Sequence, residues 1–267
     1  QNQRGWNKDF DDSGMAESAN RFEELLNTNE KPFFDEATYE SLTAYYLMNS
    51  RWDMALLVSD IGLETYPYSL DLLLNKVQLH IACEEFEIAL DLLDRATVFS
   101  PSDHEVALTR GIVYNLMGDS EQAIEIFREL LLLSDEKDVV YFQLGQTFQS
   151  NTEFEKAIHC YRKAIKINPD NESSYFELVT CYDFTNQLED GITFFQAITE
   201  VNPFNYNAWF SLGVCFGNVG LHEKAIEAYE YTKALKEDYG MAWFNLGNAY
   251  MNTDRPADAA EAYKKAL

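Results

Sequence analysis

Between Val139 and Phe148 the apolar residues Val140, Tyr141, Leu144 and Phe148 fall at the i, i+3, i+4 spacing of one helix face. Asn151-Thr152 interrupts the pattern, and it resumes at Phe154, Ala157, Ile158 and Tyr161. Two amphipathic helices joined by a short break are predicted. The same unit then repeats. Stretches beginning at Tyr39, Leu73, Ala107, Tyr141, Tyr175, Trp209 and Trp243 lie 34 residues apart, and the phase never slips. No single hairpin can bury its apolar face alone, so neighbouring units must stack into a continuous core.

The positional chemistry makes the period specific. A small residue stands sixteen places after each start, at Ala55, Ala89, Ala123, Ala157, Gly191, Ala225 and Ala259, where two helices cross closely. An aromatic ring stands seven places in, at Tyr46, Tyr114, Phe148, Tyr182, Phe216 and Tyr250, with His80 the exception. Gly111, Gly145, Gly213 and Gly247 stand four places in, where another helix can approach. Pro67, Pro101, Pro169 and Pro203 stop the second helix of their units.

These residues resemble the tetratricopeptide repeat (TPR) family. The pattern is met most fully by Tyr141, Leu144, Gly145, Phe148, Ala157, Tyr161, Ala164 and Pro169. Departures occur: Lys76 and Arg110 stand where leucine is usual, and Asp135 and Glu237 replace the closing proline. The resemblance covers Asp35 to Leu267 and implies an all-α fold, a right-handed superhelical solenoid of antiparallel helix pairs. The domains expected are a flexible acidic N-terminus over 1–14, a capping helix and linker over 15–34, and seven units over 35–267, the last incomplete. The capping helix, Met15 to Leu26, turns Phe22, Leu25 and Leu26 inward.

Composition agrees. The chain has 267 residues, 46% of them hydrophobic, with only 12 Gly and 6 Pro, few for an all-β fold. The net charge is −25, which repels nucleic acid and disfavours anionic membranes; a neutral or basic protein or peptide partner is favoured over an acidic one. Acidity also simply keeps a protein soluble. No apolar run approaches the ~18 residues of a membrane span, so no membrane insertion is expected. The four cysteines form no C-x-x-C pair and are expected to be reduced and buried, in keeping with a cytoplasmic location. The sequence does not begin with Met, so an exported mature chain stays open.

Catalysis finds no foothold. His80, His104, His159 and His222 sit in four repeats at four different positions, and no H-E-x-x-H, P-loop or G-x-S-x-G occurs. No cofactor or metal site is expected. Cys181 and Cys215 are equivalent in adjacent repeats, too far apart for a disulfide. A protein–protein interaction scaffold is the leading function; the alternative is a regulatory or substrate-recruiting region of a longer enzyme, since Leu267 falls inside the seventh unit.

The resemblance implies that the first helix of each repeat lines a concave, peptide-binding wall. Its fifth positions here are Glu40, Leu74, Leu108, Phe142, Phe176, Phe210 and Phe244, ending in a ladder of four phenylalanines. Such a ring can anchor a ligand or merely shield the neighbouring helix. The ninth and thirteenth positions add amides, Gln78, Gln146, Asn218, Asn248 and Asn252, suited to an extended backbone. The wall's second, fifth, ninth and thirteenth positions hold no Lys or Arg, and acidic residues occur at Glu40, Asp71 and Glu105. A clamp for a C-terminal carboxylate is therefore not expected. At the other end of the chain, Ala259, Tyr263 and Ala266 are assigned inward and Ala262 and Leu267 outward, an apolar patch that would favour end-to-end self-association.

The register yields a first prediction. Ala157→Leu, which overpacks the helix crossing, is expected to destabilise the chain by roughly 1–3 kcal/mol in a thermal melt.

Overall fold

In the computed structural model the described residues are 12–28 and 30–267. Residues 1–11, most of the segment expected to be flexible, lie outside them. Fifteen helices and no strand occur among the described residues, so the fold is all-α, as the repeat predicts. They fall in two compact units, Gln1–Asp119 and Ser120–Leu267. The first holds α1 (Asp12–Asn27), α2 (Glu36–Met48), α3 (Trp52–Thr65), α4 (Leu70–Ala82), α5 (Phe86–Phe99) and α6 (His104–Leu116). The second holds α7 (Ser120–Leu133), α8 (Lys137–Ser150), α9 (Phe154–Ile167), α10 (Glu172–Phe184), α11 (Leu188–Val201), α12 (Tyr206–Asn218), α13 (His222–Leu235), α14 (Gly240–Asn252) and α15 (Pro256–Ala266).

The helix breaks keep time with the sequence. Among the described residues φ is positive at Ser50, Glu84, Gly118, Thr152, Asn186, Gly220 and Asp254, each 34 residues from the next. The N–H that follows each of them reaches back to a carbonyl five residues earlier, as Glu153 N does to Phe148 O at 2.8 Å. This is the left-handed helix stop that satisfies the orphan carbonyls of the last turn. Only two of the seven are glycine, so five units hold an L-residue in a conformation that crowds Cβ. Helix starts follow the same period. Asp35, Ser69, Asp103, Asn171 and Asn205 each accept an N–H from the first turn of α2, α4, α6, α10 and α12. Each such cap is worth about 1 kcal/mol.

Packing explains the small residues. Ala55, Ala89, Ala123, Ala157, Ala225 and Ala259 have no exposed surface, and Gly191 is buried too. A Cβ on Gly145, Gly213 or Gly247 would lie 2.5 Å from the ring of Tyr161, Tyr229 or Tyr263 respectively. A tyrosine of the second helix thus lies directly on the backbone of the first. The two departures from leucine are compensated in kind. Lys76 pairs with Asp60 and Arg110 with Asp94, sixteen residues earlier in each case. Arg110 also donates to Thr97 at 3.0 Å.

In the first unit α1 packs on α2. Phe22 is fully buried, 6.2 Å from Phe34 and 6.3 Å from Tyr46. Tyr46 Oη donates to Ala19 O at 3.3 Å and to Glu23 at 3.1 Å, and Glu23 pairs with Arg51 at 2.6 Å. Burial, then the Glu23 charge, hold the Tyr46 phenol above its usual range, so it stays a donor. Leu25 and Leu26 are half-buried against the same core.

Two expectations are corrected. Cys83 is exposed, at the end of α4, whereas Cys160, Cys181 and Cys215 are buried free thiols. Ala262 is 3% exposed and faces its own hairpin, while Tyr263 and Ala266 are partly open. Only Leu267 of the predicted outward pair is exposed.

The left-handed stop gives the second prediction. Thr152 is β-branched at φ 61°, and Thr152→Gly is expected to raise stability by about 1 kcal/mol, read as a higher melting temperature. Gly118→Ala is expected to shift it the other way.

Candidate interaction surface

The second unit contains the four phenylalanines of the ladder. Its first helices adjoin directly: α10 packs on α12, and α12 on α14. The four rings do not share one environment. Phe142 and Phe210 are 9% and 8% exposed, whereas Phe176 and Phe244 are 59% and 54% exposed. The expected wall of four presented rings is therefore corrected to two.

The glycine–tyrosine contact accounts for Phe176 but not for Phe244, which keeps it and is open. Phe142, Phe210 and Phe244 each rest on the tyrosine over the glycine of their own hairpin, with centroids 5.8, 5.9 and 5.8 Å apart. Phe210 is closed over by Tyr239 at 5.1 Å. In α10, Val179 replaces the glycine and Phe195 the tyrosine. Phe195 turns instead to Tyr175, 5.9 Å away, and Tyr182, 6.4 Å away, leaving Phe176 open. Phe142 and Phe210 thus do the shielding, and Phe176 and Phe244 hold the apolar surface.

The amides divide similarly. Gln146 is half-buried; Asn218, Asn248 and Asn252 are exposed. Asn248 Oδ1 accepts from Tyr263 Oη at 2.8 Å, which leaves its amide nitrogen as the outward donor. Three residues that the sequence reading did not select join the surface. Phe184 on α10 is 70% exposed, and Met241 and Met251 on α14 are 45% and 53% exposed. Phe184 stacks on Phe154 at 5.4 Å, with the planes 5° apart. Their signal was visible: Phe184 and Met241 occupy the thirteenth and second wall positions.

The wall is held stiffly. Gln149 Oε1 accepts from Tyr161 Oη at 2.7 Å and from Cys181 Sγ at 3.3 Å, and its amide donates to Glu177 at 2.8 Å, joining α8, α9 and α10. Burial, with Glu177 adding, pushes the Cys181 thiol up to about 12, and burial does the same for Cys215. Both are neutral, unreactive packing groups at pH 7. Asn205 caps α12 while its amide donates to Tyr175 Oη at 2.8 Å. Glu172 accepts from Tyr239 Oη at 2.7 Å and Tyr206 Oη at 3.3 Å, bridging α10, α12 and α14 at their N-terminal ends. Lys236 lies over both rings, 4.4 Å from Tyr206 and 4.9 Å from Tyr239.

Among the described residues no group of three or more His, Cys, Asp or Glu is placed to hold a metal ion. No helix there is long and apolar enough to cross a membrane. The four histidines lie on α4, α6, α9 and α13.

Models of the tetratricopeptide repeat match residues 104–137, 139–171, 182–239 and 240–267. Among solved structures the chain is similar to MamA, at 25% identity and a TM-score of 0.44, covering 59% of this chain and 92% of that one. It is similar to MamA from Desulfovibrio magneticus RS-1 at 18% identity and a TM-score of 0.45, covering 61% and 92%. YrrB, described as a TPR protein with an unusual peptide-binding site, is 19% identical with a TM-score of 0.41, covering 65% of this chain and 90% of that one. No curated protein matches.

The division of the ladder is testable by stability alone. Phe142→Ala is expected to cost about 3–5 kcal/mol in a denaturant melt. Phe176→Ala is expected to stay within about 0.5 kcal/mol.

Proposed function

We infer that this chain, which belongs to the tetratricopeptide repeat family, is a protein-interaction scaffold whose second unit holds an extended segment of a partner across α10, α12 and α14. The observation that carries the reading is the pair of open apolar patches, Phe176 with Phe184 on α10 and Phe244 with Met241 and Met251 on α14. Contiguous exposed apolar surface on a rigid support marks an interaction site. Aromatic and methionine side chains are the types enriched in interface cores.

The spacing selects a ligand. Adjacent packed helices lie about 8–10 Å apart, so α10 and α14 are roughly 16–20 Å apart across α12. An extended chain rises about 3.3 Å per residue and covers that gap in about six residues. An even separation puts both anchors on one side of the strand. Asn218, Asn248 and Asn252 lie between and beside the patches and offer donors and acceptors to the backbone that crosses them. With no Lys or Arg at the second, fifth, ninth and thirteenth positions of this wall, the segment is neutral or basic.

The fourth prediction follows from this geometry. A synthetic peptide with two leucines six residues apart is expected to bind in calorimetry more tightly than one with leucines three apart. Phe176→Ala and Phe244→Ala are each expected to weaken it about tenfold. Equal affinity for both peptides, or indifference to both variants, sinks the reading.

A further inference from the structure

We infer that the exposed face of α9 is a second docking site, one that takes a carboxylate-rich segment of a partner protein. Between Lys156 and Lys166 the helix presents Lys156, His159, Arg162, Lys163 and Lys166, all exposed, with no Asp or Glu between them. In a chain of net charge −25 this is a local reversal of sign.

The repeat itself does not ask for these cations. One unit earlier, on α7, the equivalent positions hold Gln122, Glu125, Arg128, Glu129 and Leu132. One unit later, on α11, they hold Asp190, Thr193, Gln196, Ala197 and Glu200. On α7 Arg128 is the one cation at these positions and α11 has none, while α15 carries Lys264 and Lys265 where α9 has Arg162 and Lys163, so the full run from Lys156 to Lys166 is particular to α9.

Nor are the charges consumed within the unit. Lys156 pairs with Glu153 in its own first turn and lies 5.2 Å from the Phe148 ring. Arg162 is laid over Phe194 at 4.6 Å and its charge also reaches the Tyr182 hydroxyl, which fixes its guanidinium at the helix surface without an acidic partner. His159, Lys163 and Lys166 form no ion pair among the described residues. Glu155, Ile158, His159 and the cations Arg162, Lys163 and Lys166 line an open depression of about 430 Å³. A further cation, Arg128 on α7, stands near Cys160, in a depression it shares with Lys156 and with Glu121, Glu125, Glu129 and Glu153.

Size and range choose among anions. Ten residues of helix span about 15 Å, the length of roughly five extended residues. A nucleic acid carries its charge over a longer track and meets the repulsion of the whole acidic chain. A short acidic run on an otherwise neutral or basic partner feels the patch within a Debye length of about 8 Å and little else. The site is separate from the apolar wall of α10, α12 and α14, so one partner could use both.

The test is fluorescence anisotropy of labelled hexaglutamate with the full chain, beside labelled hexalysine and an equally charged oligothymidylate. Hexaglutamate is expected to bind saturably and more weakly with added salt. Lys163→Glu with Lys166→Glu should weaken it at least about tenfold, and Lys163→Arg with Lys166→Arg should retain it. Unchanged circular-dichroism melts keep the charge-reversed variant interpretable, since both side chains are exposed. Phe176→Ala with Phe244→Ala should leave hexaglutamate binding intact, which separates this site from the apolar wall. No saturable binding, equal binding by the charge-reversed variant, or tighter binding of oligothymidylate overturns the proposal.

Discussion

The closest contact inside the second unit is a tyrosine ring laid on bare backbone. At Gly145, Gly213 and Gly247 no side chain separates the first helix from Tyr161, Tyr229 or Tyr263. One methyl group there would have to displace the ring, which is buried at Tyr161 and Tyr229 and partly open at Tyr263. The remaining features of the unit follow. The alanine sixteen places on is sealed, the fifth-position phenylalanine has a ring to rest on, and the tyrosine hydroxyl reaches an acceptor such as Gln149.

Loss of that contact opens Phe176, whereas Phe244 is open with the contact kept. The α10–α11 hairpin carries Val179 and Phe195 in place of the glycine and tyrosine, and Phe176 stands open in consequence. A departure from the repeat's internal packing therefore creates an interaction feature. The same logic applies to α9, where Lys163 and Lys166 depart from the residues at those positions on α7 and α11 and form no ion pair among the described residues. In a repeat protein, the positions that break the common pattern without a compensating contact within the fold are the natural places to look for partners. Lys76 and Arg110 illustrate the opposite case: they break the pattern, but Asp60 and Asp94 neutralise them within the fold.

Electrostatics and apolar contact are kept apart. The wall of α10, α12 and α14 presents rings, thioethers and amides, while cations gather on α9. An amide-lined apolar wall gives main-chain hydrogen bonding that is short in range. A cationic stripe gives long-range attraction whose strength depends on salt. Two weak contacts of different kinds on one rigid support add as effective concentration allows, giving avidity that neither has alone.

Local repetition was enough to determine the helical units, their period, the sealed alanines and the glycines of close approach, because each is imposed by neighbours within one or two turns or one hairpin. The N-caps and left-handed stops kept the same period and could have been read from it, although Glu84 and Thr152 disguise the stop, being residues that seldom adopt φ > 0. Which phenylalanines of the ladder are open was beyond the sequence reading. Identical residues at identical positions were separated by contacts from another helix: Tyr239 covers Phe210, and Phe195 turns away from Phe176. The inward turn of Ala262 and the exposure of Cys83 were decided in the same way. Periodicity assigns a residue to a face of its helix; burial depends on what the rest of the chain brings to that face, and only the tertiary structure supplies that.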